Sequence, residues 1–219
     1  MDTDFWHGKW QRDEIGFHQS EINRHLMKHW VTLAIPQDAS VFVPMCGKSQ
    51  DMLWLLDKGY QVTGVELSPI AVEDFFKENA ISFEVSEDGP FYIYQHNELT
   101  IYLGDFFDLE MRHMEDVEMI YDRAALVALP EEMRRRYAEH ISKVMPDNED
   151  ILLVAMEYPQ QQMDGPPFSV SEQEVHNLFA HKYDVHLLER YDVLAKEPRF
   201  KERGMTHLDE CIYHMRLKD

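Results

Sequence analysis

The stretch from Val41 to Pro69, VFVPMCGKSQDMLWLLDKGYQVTGVELSP, decides the fold. Its opening is a short β-branched and aromatic run, its middle an apolar-faced helix closing on Gly59, and YQVTGVEL a second strand. Ser68 as N-cap and Pro69 at the first helical position, where a missing N–H does no harm, open the next helix, SPIAVEDFFKEN. The order is strand, helix, strand, helix.

The Gly-Lys-Ser at 47–49 has the ending of a phosphate-binding loop. That loop needs an earlier glycine around which the backbone curls, and here the position is Phe42, inside the strand, with Pro44 removing a further N–H. The glycine-rich dinucleotide fingerprint is absent too, since only Gly47 follows the strand. What survives is Gly47 and, 19 residues on, Glu66 at the end of the second strand. An acid near that spacing accepts hydrogen bonds from ribose hydroxyls in nucleotide-binding α/β folds. A ribose grip without a phosphate cradle fits a nucleoside cofactor such as S-adenosylmethionine, and Gly47 permits close backbone approach to it. The bland alternative for Glu66 is a solvated acid before a Ser-Pro helix start.

Working outward, SEINRHLMKHW (20–30) puts Ile22, Leu26 and Trp30 on one helical face, with Ser20 available as N-cap. Downstream, SFEVS, FYIYQ and LTIYLG between 82 and 104 are strands joined by turns, so a hairpin is inserted before the next crossover. VEMIYD (117–122), a helix over 130–145, DILLVAMEY, a helix opened by a Ser171–Glu174 capping box, and two closing strands complete the chain. The alternation predicts a mostly parallel sheet with helices on both faces and a ligand site at the strands' carboxyl ends.

The 219 residues suit one domain spanning 1–219. The longest apolar run, Ile151 to Met156, is far short of a membrane helix, and the acidic N-terminus lacks the make-up of a signal peptide. A cytoplasmic protein is expected, with Cys46 and Cys211 as thiols. A formal charge of -20 argues against nucleic acid and anionic membranes as partners, while one or two arginines in a closed pocket still admit a small anion. A monomer binding a small molecule is expected.

The motifs FWHGKW, GFHQSE, VFVPMCGKSQDMLWL, GVELSPIAVEDFF, GDFFDL, YDRAALVALP, GPPF and RFKERGMTHLDECIYHM occur in order between residues 5 and 217. Together they resemble the thiopurine S-methyltransferase family in its bacterial form. The resemblance implies a class I methyltransferase, Rossmann-like α/β fold with a seven-stranded sheet. It also implies methyl transfer from S-adenosylmethionine to sulfur, and an N-terminal helical lid segment (1–30) closing over the cofactor. It places Trp10, Met45, Gly47, Glu66, Asp105, Phe106 and Arg123 on the cofactor, Asp105 and Phe106 at the adenine. Phe17, Pro166, Pro167 and Arg199 fall on the substrate side, with Arg123 and Arg199 as the cations that hold a thiolate. Selenium or tellurium species as acceptors, and a non-catalytic sensor of the cofactor, are alternatives of the same site.

Other residues invite other chemistry. His25 and His29 stand at i, i+4, but the sequence supplies no accompanying cysteine or paired acid, so no metal is expected. His18 beside Phe17 is a candidate general base or a backbone-bonded loop histidine. Cys46 lacks a histidine in its motif and reads as a buried thiol. Arg134, Arg135 and Arg136 read as a solvated face, and Trp6 and Trp10 as core anchors, a lid over a sulfonium, or both.

Overall fold

The structure, a computed structural model, describes residues 3–146 and 149–218. Residues 1, 2 and 219 of the expected 1–219 domain, the first two also opening the expected 1–30 lid segment, and residues 147 and 148 lie outside the described residues.

The N-terminal half runs α1 (Thr3–Gln11), α2 (Arg24–Trp30), β1 (Ser40–Pro44), α3 (Asp51–Asp57), β2 (Gln61–Glu66), α4 (Pro69–Glu78), β3 (Glu84–Asp88), β4 (Phe91–His96) and β5 (Leu99–Leu103). The second half runs β6 (Val117–Asp122), α5 (Ala125–Ala128), α6 (Glu131–Val144), β7 (Asp150–Glu157), α7 (Glu172–Phe179), β8 (Tyr183–Asp192), α8 (Pro198–Glu202) and β9 (Asp209–Leu217). The α2 helix starts later than Ser20 predicts. Asn23 caps it, its Oδ1 accepting from the backbone N–H groups of His25 (2.8 Å) and Leu26 (3.2 Å). Ser171 caps α7 by accepting from Glu174 N at 3.2 Å, and the Glu174 carboxylate is engaged by Arg134.

The sheet has nine strands, in the order β3-β4-β5-β2-β1-β6-β7-β9-β8, where seven were expected. The two additional strands are the inserted hairpin: β3 and β4 add antiparallel onto β5 and extend the same sheet. β5, β2, β1, β6 and β7 are mutually parallel, and β9 and β8 close the other side antiparallel. The α/β class with its central parallel strands is as the sequence predicts.

Alternation along the central strands sends neighbours to opposite faces and builds two cores. Phe42, Ile120, Ile151 and Leu153 pack with Tyr137 and Ile141 of α6 and Val175 and Phe179 of α7. Val41, Val43, Met119, Tyr121, Leu152 and Val154 pack with Leu26 and Trp30 of α2, Met52 and Leu55 of α3, and Phe75 and Phe76 of α4. Both faces of the parallel strands are thereby covered, which leaves the loops at their ends to make a site. No described helix is long and apolar enough to cross a membrane.

The Arg134–Arg136 reading needs correction. Arg134 is buried, its Nε and Nη2 donating to Glu174 at 2.6 and 3.0 Å and its Nη1 to the Leu129 carbonyl at 2.8 Å. It ties α6 to α7, a role invisible in sequence because its partner lies 40 residues away. Arg136 lies over the Phe107 ring, 4.8 Å from the centroid.

Candidate functional site

At the carboxyl ends of β1, β2 and β6 the N-terminal segment folds back over the sheet and encloses a cavity of about 650 Å³. Trp10, Phe17, Met45, Gly47, Glu66, Arg123, Pro166, Pro167 and Arg199 all line it. Nine residues from seven motifs scattered over the chain thus converge on one space of the size small-molecule sites occupy.

One end is built from backbone. Gly47 has φ +54, and a Cβ there would lie 3.4 Å from the Trp10 ring, so the glycine serves both the turn and the indole above it. Glu66 is buried, and its Oε2 and Oε1 accept from the backbone N–H groups of Gly47 and Ser68, each at 2.8 Å. Burial pushes the Glu66 carboxyl above the usual range, and the Ser68 and Gly47 N–H groups act in the opposite sense. Each oxygen keeps acceptor capacity for a further donor, which suits a pair of hydroxyls in the cavity. His7, on α1, contacts the Leu67 carbonyl at 3.1 Å and pins the lid beside this seat.

Lys48 lines the cavity as well, but its ammonium is held by Glu78 at 2.7 Å and Asp74 at 3.5 Å on α4. It offers no phosphate cradle. Cys46 is buried, and burial pushes its thiol well above the ordinary range, so it is no nucleophile.

The other end is built from side chains. The Phe17 ring stands edge-on to Trp6 (5.7 Å) and Trp10 (5.6 Å). Arg123 follows β6, its Nε 2.9 Å from Asp51 Oδ2 and its Nη1 donating to Gln19 Oε1 at 2.9 Å. Arg199, on α8, donates from Nη1 to the Gly16 carbonyl at 2.5 Å and from Nε to Glu197 at 3.1 Å. Tyr158 donates to the Pro167 carbonyl at 2.6 Å and steadies the proline pair. His18 sits on the same wall, and burial, then Lys48, lowers its pKa, so its imidazole is neutral near pH 7.

Asp51 is the functional group that sequence reasoning missed. It is 1 % exposed and accepts from Asn23 N (2.7 Å), Tyr121 Oη (3.0 Å) and Arg123. In sequence it is one of 41 acids, at an ordinary helix start.

Asp105 and Phe106, the expected adenine pair, do not line the cavity. Asp105 Oδ1 accepts from Phe107 N at 3.0 Å, and the Phe106 ring is buried in the core, 4.9 Å from Tyr137. The metal reading also changes, because the fold brings Glu189 and Glu210 to His25 and His29.

Comparison with known proteins agrees with this geometry. Residues 1–218 match the family described as thiopurine S-methyltransferase. A thiopurine S-methyltransferase of Pseudomonas fluorescens is 48 % identical over 99 % of each chain. Among solved structures, an S-adenosylmethionine-dependent methyltransferase from Methanosarcina mazei has a TM-score of 0.62 at 14 % identity, covering 87 % of this chain and 98 % of that one. A Burkholderia thailandensis 1,6-didemethyltoxoflavin N1-methyltransferase, solved with its substrate and S-adenosylhomocysteine, has a TM-score of 0.62 at 13 % identity, covering 98 % and 87 %.

Proposed function

We propose that the acceptor of this chain, which belongs to the thiopurine S-methyltransferase family and is an S-adenosylmethionine-dependent methyltransferase, is the sulfur of an aromatic or heterocyclic thiol, thiopurines included. The observation that carries the reading is that Glu66 and Gly47 share one cavity with Phe17, Arg123 and Arg199.

In this reading S-adenosylmethionine supplies a methyl group on a sulfonium, and direct displacement by a thiolate gives a thioether and S-adenosylhomocysteine. Glu66 holds the ribose hydroxyls, Gly47 and Met45 lie along the amino-acid portion, and Trp10 covers it from the lid. Asp105, outside the cavity lining and bonded to Phe107 N, shapes the loop after β5 and is given no cofactor contact. Phe106 supports that loop from the core side, since its ring is buried.

The protein's contribution to the displacement is alignment in a closed, dry space. Phe17 and the Pro166–Pro167 pair flank the acceptor ring. Arg123 and Arg199 offset the thiolate charge, directly or through a water. Asp51, by fixing Nε of Arg123, aims the guanidinium and is a positioning residue. An aromatic thiol already ionised near neutral pH brings its own nucleophile, so no proton transfer is asked of His18, and a displacement on a sulfonium asks nothing of a metal. Residues 3–146 and 149–218 act here as one catalytic unit.

The test offers purified protein methyl-labelled S-adenosylmethionine and 6-mercaptopurine and follows label into an extractable product. Transfer is expected. Cofactor binding without transfer would overturn the thiol acceptor and move the weight to a selenium or tellurium acceptor or to a sensor.

A further inference from the structure

Next to the substrate wall, α2 and the closing strands build a second polar cluster that the methyl-transfer chemistry does not use. His25 and His29, one turn apart, stack with ring centroids 6.2 Å apart and planes 13° apart. Both are buried. Glu189 reaches them because β8 carries a register shift between Leu187 and Glu189: Leu187 pairs Tyr213, whereas Glu189 pairs Ile212. Tyr213 packs in one core and Ile212 in the other, with Leu26 and Trp30 of α2. The bulge therefore swings Glu189 onto the face that α2 covers, as bulges re-aim side chains elsewhere.

Three atoms converge there. Glu189 Oε2 is 3.3 Å from His25 Nδ1 and 2.8 Å from His29 Nε2, and the ligand atoms of the three residues all lie within 4.8 Å of one another. On its far side, His25 Nε2 lies 2.8 Å from Glu210 Oε2. That carboxylate fixes the proton on Nε2 and leaves the Nδ1 lone pair facing the Glu189 oxygen. Buried Nδ1 accordingly has no hydrogen-bond partner. Two acceptors facing each other in a buried place repel, and a cation between them removes the conflict.

The surroundings agree with that assignment. A carboxylate on the second nitrogen of a histidine is the arrangement that orients metal-ligating histidines. The neighbouring cations sit on the atoms that face away: Lys28 Nζ is 2.7 Å from Glu189 Oε1, and Arg24 Nε is 3.3 Å from His25 Nε2 with its guanidinium stacked 3.6 Å from the Tyr191 ring. Arg24 competes for Nε2 only at the longer distance, so the 2.8 Å contact with Glu210 governs the tautomer. The side chains of His29 and Glu189 are 11 % and 21 % exposed, which gives an ion a way in and a water a fourth position.

We propose that His25 Nδ1, His29 Nε2 and Glu189 Oε2 form a binding site for one zinc-class divalent ion that pins α2 to β8. The ion takes the place of the proton between His29 and Glu189. Two imidazoles and one carboxylate, with Glu210 behind, are the donor set of a borderline ion rather than of calcium or magnesium. The site bears on the catalytic wall, because Glu210 lines the cavity and Asn23, the cap of α2, donates to Asp51, which holds Arg123.

The test uses tag-free, full-length protein dialysed against a chelator and titrated with zinc chloride in a calorimeter, with cobalt(II) chloride as an absorbing probe. One zinc per chain is expected, with visible cobalt bands of a low-coordinate nitrogen and oxygen site. Glu189→Gln and His29→Gln should each weaken binding by about 100-fold or more and abolish the bands. His186→Gln, on the exposed part of β8, should change neither. The melting temperature of each metal-free variant, matched to that of the metal-free parent, shows that the loss is of ligands and not of fold. Failure of the parent to bind one equivalent, or binding that both ligand variants leave unchanged, overturns the proposal. Neither readout depends on methyl transfer, so failure here leaves the acceptor question untouched.

Discussion

The two ends of the cavity are made of different materials. At the β1–β2 end the geometry is set by backbone: Gly47 and Ser68 N–H groups on the Glu66 carboxylate, at the tips of buried parallel strands. At the lid end it is set by long side chains, Arg123 and Arg199, reaching from β6 and α8 to Gln19 and Gly16. Arg199 and Phe17 are substantially exposed, whereas Glu66 is buried. A strand-tip seat suits a cofactor that never changes; a side-chain wall suits an acceptor whose shape does.

The widest separation between the two ends is expected from Arg123→Met. It should lower kcat/KM for the thiol acceptor by roughly 100-fold, about 3 kcal/mol, because it removes a cation from the site and strands the buried Asp51. Affinity for S-adenosylhomocysteine, measured by calorimetry, should hold within about twofold. Equal losses in both would dissolve the distinction.

Asp122, buried at the end of β6 next to Arg123, sharpens it through pH. Burial raises its pKa from 3.8 to about 6, against hydrogen bonds from Tyr137 Oη and the Leu126 and Ala125 N–H groups. Below 3.8 folded and unfolded chains both hold the proton; between 3.8 and about 6 only the folded chain does, so its contribution to stability falls as pH rises through that window. Asp122→Asn abolishes the titration. Its stability relative to the parent, from urea melts, should improve by about 2 to 3 kcal/mol between pH 4 and pH 7. A flat difference would show that Asp122 titrates normally.

Glu66→Ala should weaken S-adenosylhomocysteine binding by about 1 to 3 kcal/mol, as lost hydrogen bonds to a charged acceptor do. Unchanged affinity would remove Glu66 from the cofactor seat. The smallest effect belongs to Lys48→Met: cofactor affinity should move by less than about twofold, since the ammonium is engaged by Glu78 and Asp74. Magnesium-dependent ATP binding by the parent, lost in this variant, would reinstate the phosphate-loop reading.

The same contrast governs what could be seen in the sequence. Gly47, Glu66 and the strands around them obey local rules, period-two alternation and a glycine at a turn, so they were legible. Asp51, Gln19 and Glu189 act through partners 72, 104 and 160 residues away, and nothing local distinguishes them from other polar residues. Ser20 and Asn23 are both good caps three residues apart, and only the backbone N–H groups choose between them. The Phe106 ring faces the core because a strand-end aromatic in a crowded layer is settled by its neighbours Phe42 and Tyr137.

The grip of Arg199 on Gly16 has a consequence for how this enzyme can diversify. The guanidinium holds a main-chain carbonyl, so it recognises the path of the lid and not its side chains. Residues around Gly16 are then open to drift without releasing the latch, whereas a Cβ at Gly16 would lie 3.3 Å from Arg199 Nη1 and require the guanidinium to give by a few tenths of an ångström. Under the proposed function, the side chains of this segment can be exchanged to suit new acceptors while the route of the chain over the cavity is kept.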